Sequence, residues 1–190
     1  GTYKVIRNQG LVFQAKGAGQ RRFTMNESSS CARALLDIGF YLRCKAKPGD
    51  LFIIDEPELN LHPKNQRALA RLIARLVQSG IKVFLTTHSD YLIKEFNTLI
   101  MMYQRTEYTR RIQNQYKYKD EELLDPTRVR LYMMGTESLS AKEKGKHLRR
   151  INTLKPATIH IDRGIEVTTF DDTIDIMNSI QSDLLYSGDF

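Results

Sequence analysis

Residues 51–63, Leu-Phe-Ile-Ile-Asp-Glu-Pro-Glu-Leu-Asn-Leu-His-Pro, decide the fold. Four apolar residues run directly into two carboxylates, Asp55 and Glu56, as when a buried parallel strand delivers acids to the carboxyl edge of an α/β sheet. Side chains alternate across a strand, so the two acids leave its end in different directions and can take different tasks. One can hold a magnesium ion and the other can orient an attacking water. A second β-rich run, Ile81 to His88, ends in polar residues, with Ser89 and Asp90 as possible caps of the next helix. Between the runs, Leu69, Leu72, Ile73, Leu76 and Val77 follow helical spacing over 64–79, and Gly80 ends the helix. The reading is a strand-helix-strand unit that brings Asp55, Glu56 and His88 to one edge.

These residues resemble the Walker B, D-loop and switch-histidine region of ABC-class ATPases, especially the stand-alone "AAA family" ATPases related to the OLD and SMC-like groups. Residues 51–56 look like Walker B with the catalytic glutamate, Glu58 to Pro63 like the D-loop, and Thr86-Thr87-His88-Ser89 like the H-loop. Upstream, Asn26-Glu27-Ser28-Ser29-Ser30 opens a helical run and resembles a serine-rich form of the ABC signature. Free N–H groups and the dipole at a helix start suit an anion. The resemblance covers residues 20–103 and, by overall pattern only, 164–186. It implies a P-loop NTPase-type α/β fold, with a mostly parallel sheet, flanking helices and small β-rich elements near both ends. It also implies ATP and Mg²⁺ as ligands, Asp55 on the metal, Glu56 on the lytic water and His88 on the γ-phosphate. Ser28, Ser29, Ser30, Asn60 and His62 would serve the nucleotide of the opposite subunit in a homodimer.

A phosphate-cradling loop needs G-x-x-x-x-G-K-S/T, and no such segment occurs. Gly17-Ala18-Gly19-Gln20 lacks the lysine and reads instead as a hairpin turn between arms at Leu11 to Ala15 and Arg22 to Met25. In the ABC order Walker A precedes the signature, so it is expected N-terminal to Gly1. The chain then reads as the carboxyl portion of a larger ATPase that alone hydrolyses ATP poorly.

With 190 residues and 41% hydrophobic content the chain can bury one sizeable core. It carries no run of about 18 apolar residues and no signal peptide, which argues for a cytoplasmic protein and against membrane insertion. Cys31 and Cys44 fall thirteen positions apart on one expected helix, out of each other's reach, so a reduced compartment is inferred. The net charge of +7 gathers in Arg67, Arg71 and Arg75, and in Lys142, Lys144, Lys146, Arg149 and Arg150. Both groups read either as phosphate-neutralising patches or as solvated surface. Tyr103, Tyr108, Tyr116 and Tyr118, among Arg105, Arg110, Arg111, Lys117 and Lys119, come nearest to a stacking surface for nucleic acid.

The expected organisation is a β-rich lead-in over 1–25 and the signature, Walker B and H-loop core over 26–103. A polar insertion and flexible loop follow over 104–156, then a hairpin and helix over 157–190. Ser30 to Cys44 reads as an almost uniformly apolar buried helix. Asn97 to Tyr103 reads as a third sheet strand, Val129 to Met134 as a strand, and Asp162-Arg163-Gly164 as a hairpin turn. Asp171 is expected to cap a final helix to Tyr186, with Ile174, Met177, Ile180 and Leu184 on one face. Three functional readings follow: an ATPase core that regulates a partner nuclease or nucleic acid in defence or DNA maintenance; a non-catalytic interaction module with the same fold; and a nucleic-acid-binding module acting without ATP. Clustered acids of a Toprim nuclease and an H-N-H motif are both absent from the sequence, which argues against a nuclease in this chain.

Overall fold

Alternating apolar and polar residues at the start of the chain produce an antiparallel sheet. Strand β1 (Thr2–Ile6) pairs with β2 (Gly10–Gln14) from Thr2↔Gln14 to Ile6↔Gly10, and β2 pairs with the short β3 (Phe23–Thr24). The expected hairpin is present: Gly17 (φ +87°) and Gly19 (φ +60°) occupy the left-handed region, and the Gln14 amide donates to Gly19 O at 2.6 Å. The structure, a computed structural model, describes residues 1–7, 10–17, 19–139, 149–166 and 176–183. The chain divides into two compact units, one of Gly1–Leu99 with Lys117–Leu123, the other of Ile100–Tyr116 with Leu124–Phe190.

In the first unit, Ser29 caps α1 (Ser30–Ala34), and α2 (Leu36–Cys44) follows after a break at Leu35. The single buried helix expected over 30–44 is therefore two helices, and only Ala32 and Ile38 in them are buried. Apolar content misled here, because a helix beside a core buries one stripe rather than its circumference. That stripe is Cys31, Leu35, Ile38 and Leu42, at helical spacing. The N-terminal sheet is anchored to these helices through Tyr3, whose ring lies 5.1 Å from Phe13 and 6.2 Å from Phe40 and whose hydroxyl donates to Ala32 O. A Cβ at Gly39 would stand 3.1 Å from the Tyr3 ring, so a larger residue there would have to displace the ring by a few tenths of an ångström.

The strand-helix-strand unit forms as read. Strand β4 (Leu51–Ile54) pairs parallel with β5 (Lys82–Leu85), Leu51↔Lys82 to Ile54↔Leu85, joined by α3 (Pro63–Gln78). Gly80, at φ +89°, follows the Ser79 cap and ends the helix. The core consists of Ile38, Leu61, Leu69, Ala70, Ile73 and Leu92, with Phe52, Val83 and Leu85 packed against it from the sheet. The Phe52 ring stacks on Tyr41 at 4.2 Å.

Two expectations about this sheet are corrected. Strand β4 is covered on one face only: Leu51, Ile53 and Phe84 on the other are 61%, 65% and 58% exposed. The mostly parallel sheet is, among the described residues, this two-stranded pair, while the other three sheets are antiparallel. The architecture is accordingly mixed α/β. The third strand expected at 97–103 is the end of α4 (Asp90–Met102). The β-like run Thr98 to Met102 continues a helical stripe of Leu92, Ile93, Phe96, Leu99 and Ile100, and the longer period prevails.

The arginine row on α3 is not a free basic face. Arg67 Nε and Arg71 Nε donate to the two oxygens of Glu95 on α4 at 2.6 and 2.8 Å, and Arg75 Nη2 donates to Glu122 Oε1. Arg67 also donates to the Tyr118 hydroxyl at 3.0 Å, while the Arg71 guanidinium lies 3.7 Å above the Tyr118 ring. Residues 117–123, read as part of an insertion, are thus strapped to α3.

In the second unit, α5 (Glu107–Gln115) starts at the Thr106 cap. Strand β6 (Tyr132–Leu139) pairs antiparallel with β7 (Arg149–Pro156) over their full length, so the insertion and flexible loop expected over 104–156 carries a strand pair. Lys142, Lys144 and Lys146 lie outside the described residues, as do the side chains of Arg149 and Arg150. A small hairpin of β8 (Ile159–His160) and β9 (Gly164–Ile165) turns at Asp162-Arg163 as expected. Residues 176–183 are helical, and the expected cap Asp171 and the end at Tyr186 fall outside the described residues. Among the described residues no helix is long and apolar enough to cross a membrane. Both cysteines are free thiols.

Candidate active site

The end of β4 delivers Asp55 and Glu56 to the same edge at which β5 delivers Thr86, Thr87 and His88. Thr86 N donates to Ile54 O at 3.1 Å, which extends the parallel ladder by one step and puts the threonine beside both acids. Its hydroxyl donates to Asp55 Oδ1 and accepts from Glu56 N at 3.1 Å. One hydroxyl thereby orients the metal-ligand candidate by its side chain and the water-orienting candidate by its backbone. His88 Nε2 stands 3.1 Å from Glu56 Oε1, and the His88 side chain is 86% exposed. Glu56 and His88 therefore meet at a solvent-accessible strand edge, and Asp55 is tied to the same edge through the Thr86 hydroxyl.

The backbone at this edge is held in an uncommon conformation. Glu56 has φ +41°, in the left-handed region, and it precedes a proline, which restricts its backbone further. Such a residue costs about 1–3 kcal/mol and persists where its surroundings over-determine it. The Glu56 N–H bond to Thr86 and the turn bonds Leu59 N to Glu56 O (3.1 Å) and Leu61 N to Glu58 O (3.0 Å) supply that constraint. Asn60 also has positive φ, +62°, which asparagine tolerates.

The D-loop candidates sit on the turn that follows. Asn60 is exposed, and His62 caps α3, its Nδ1 accepting from Lys64 N at 3.3 Å with Pro63 in the first turn. The signature candidates open α1: Ser28 is buried and donates to Thr24 O at 2.8 Å, Ser29 accepts from Ala32 N at 3.2 Å, and Ser30 is exposed. Glu27 accepts from the Thr24 N–H and hydroxyl, and those bonds hold its carboxyl below the usual range. Among the described residues no hydrogen bond or ion pair joins the three serines to Asp55, Glu56 or His88. Asn65 on α3 does reach Cys31 Sγ at 3.4 Å, which ties the start of α1 to the start of α3.

In the sequence Glu58 and Thr86 stand only as members of motifs, with no task of their own, and Gln66 stands in none. Thr86 is a connector between the acids. Glu58 is buried and accepts from the Thr87 hydroxyl at 2.6 Å and from His88 N at 2.8 Å. Gln66 bridges Leu61 O and the Ser89 hydroxyl, while Ser89 Oγ caps α4 by accepting from Leu92 N. The partners of all three across the strand edge lie 23 to 31 residues away, and no local sequence signal reports that pairing.

No three His, Cys, Asp or Glu side chains among the described residues converge on one metal position. A single strand-end carboxylate suits magnesium, which keeps several waters and takes one or two carboxylates together with phosphate oxygens.

Comparison with known proteins bears on residues 19–94, which match a family model described as "AAA domain, putative AbiEii toxin, Type IV TA system". This stretch, less than half of the chain, is similar to an AAA-type ATPase domain. No curated protein sequence matches the chain significantly. A solved chain from "Structural biochemistry of ATP-driven dimerization and DNA stimulated activation of SMC ATPases" superposes with a TM-score of 0.47 at 14% identity, over 95% of this chain and 81% of that one.

Proposed function

We propose that the chain contributes the hydrolytic half of an ATP site, with the phosphate cradle supplied by polypeptide outside residues 1–190. The observation that carries this reading is the approach of His88 Nε2 to within 3.1 Å of Glu56 Oε1, beside Asp55, at an exposed strand edge. The similarity of residues 19–94 to an AAA domain supports it.

Asp55 and Thr86 would hold Mg²⁺, Asp55 through a water molecule. When bound, the ion supplies positive charge to the phosphate oxygens. Glu56 orients or deprotonates the lytic water, its position fixed by the Thr86 hydroxyl and the constrained turn. His88 donates to the γ-phosphate as negative charge redistributes, and its exposure lets it swing from Glu56 to a phosphate oxygen without disturbing the core. The exposed Ser29 and Ser30, with Asn60 and His62, would face the nucleotide of a second copy, while the buried Ser28 braces their loop through Thr24 O, so ATP joins two subunits and hydrolysis releases them. The matched family's description names a putative toxin of a toxin–antitoxin system, which accords with a defence role; in this reading the cycle governs a nuclease or nucleic-acid partner.

Glu56→Gln in the full-length protein tests the reading. The amide cannot accept the water's proton, so turnover should fall at least 100-fold while an ATP-dependent dimer accumulates, seen by light scattering. Unchanged turnover would refute the assignment.

A further inference from the structure

We propose that Glu58 is a positioning residue that fixes His88 and couples it to the turn at Asn60 and His62; this inference rests on the nucleotide-site reading above. Glu58 is 6% exposed. Its Oε1 accepts two bonds, both from the segment carrying the histidine, while Oε2 is buried with no partner among the described residues. No arginine or lysine forms an ion pair with it among the described residues.

Burying a carboxylate costs free energy unless its oxygens are fully bonded, and an apolar residue of similar volume fills such a place at lower cost. Core stability therefore does not account for an acid here. What Glu58 provides is direction: a charge-assisted bond to the backbone N–H of His88 and another to the neighbouring hydroxyl. The Thr87 hydroxyl in turn accepts from Ser89 N at 3.0 Å, so both sides of His88 are fixed.

A second tie runs parallel to the first. Gln66 donates to Leu61 O at 2.9 Å and accepts from the Ser89 hydroxyl. Residues 58 and 61 on one side are thereby joined to 87, 88 and 89 on the other through the side chains of Glu58 and Gln66. A subunit that docks against Asn60 and His62 shifts the turn, and the shift reaches the imidazole through Glu58. Misplacement of such a group by about 1 Å can cost up to 100-fold in rate.

The test is a double-mutant cycle on the full-length protein, with single-turnover ATP cleavage and amide exchange at His88 as readouts. Glu58→Ala should slow cleavage about tenfold and strip protection from the His88 amide. Glu58→Gln keeps an acceptor oxygen and should stay within about threefold of wild type. In a His88→Ala background, Glu58→Ala should have no further effect on cleavage, because the carboxylate acts through the imidazole. Losses that multiply in the double variant overturn the proposal, as does an unprotected His88 amide in the wild type. If His88→Ala leaves cleavage intact, the nucleotide-site reading fails instead, and amide protection alone then decides whether Glu58 holds the segment. Should Glu58→Ala not fold, Thr87→Val replaces it: a two- to threefold loss confined to the His88 background supports the proposal, and a loss independent of His88 overturns it.

Discussion

Glu95→Ala should destabilise the first unit by about 3 kcal/mol, because this carboxylate receives two arginines in a nearly dry site. Glu95 is 3% exposed and accepts from Arg67 Nε at 2.6 Å and Arg71 Nε at 2.8 Å. A desolvated charge-assisted bond contributes roughly 1.5–3 kcal/mol. Arg67 is half exposed, so its share falls under about 1 kcal/mol, whereas the more buried Arg71 keeps about 2 kcal/mol. Arg71 remains over the Tyr118 ring after the change, which limits the loss. For a unit of about a hundred residues, 3 kcal/mol corresponds to roughly 12–24 °C in Tm. Urea titration followed by far-UV circular dichroism measures the change, with Glu121→Ala as control. Glu121 is exposed and stands 3.8 Å from Arg75 and from Lys119, so its loss should cost under about 0.5 kcal/mol. If the two variants unfold within about 0.5 kcal/mol of each other, the Glu95 ion pairs do not hold α4 to α3.

The sheet and the strand edge yield two further predictions. Phe52→Ala, which removes a ring stacked on Tyr41 and packed on the core, should cost about 3 kcal/mol in the same titration, while Ile53→Ala on the open face should cost less than about 1 kcal/mol; equal losses would contradict the register. Thr86→Val keeps the side-chain volume but removes the hydroxyl shared by Asp55 and Glu56, so in the full-length protein the magnesium concentration for half-maximal turnover should rise about tenfold, with Tm falling by a few degrees because Glu56 N loses its acceptor. An unchanged magnesium requirement would remove Thr86 from the site.

The unit around Asp55 and Glu56 was legible because its information is local. An apolar run, two acids, a helical stripe and Gly80 each state their part within a few residues, and β4, α3 and β5 follow. The same locality explains the errors. Leu51 and Ile53 match a fully buried strand in sequence, yet burial depends on what lies opposite, and a run of apolar residues cannot report that. Arg67, Arg71 and Arg75 look like a solvated basic row until Glu95 and Glu122 arrive from 24 to 47 residues away. Thr98 to Met102 has the composition of a strand, but it lies on the stripe begun at Leu92. Glu58 was read only as part of a motif, although its partners Thr87 and His88 lie in another. Long-range polar pairing is the part of this fold that periodicity does not encode.

The central claim is that Asp55, Glu56 and His88 surround the terminal phosphate of one nucleotide. A crystal structure of the full-length Glu56→Gln variant with magnesium and ATP tests it most directly. The account predicts magnesium linked to Asp55 through a water and His88 within about 3 Å of a γ-phosphate oxygen. A nucleotide bound with its γ-phosphate away from this strand edge, or met by neither Asp55 nor His88, would contradict it.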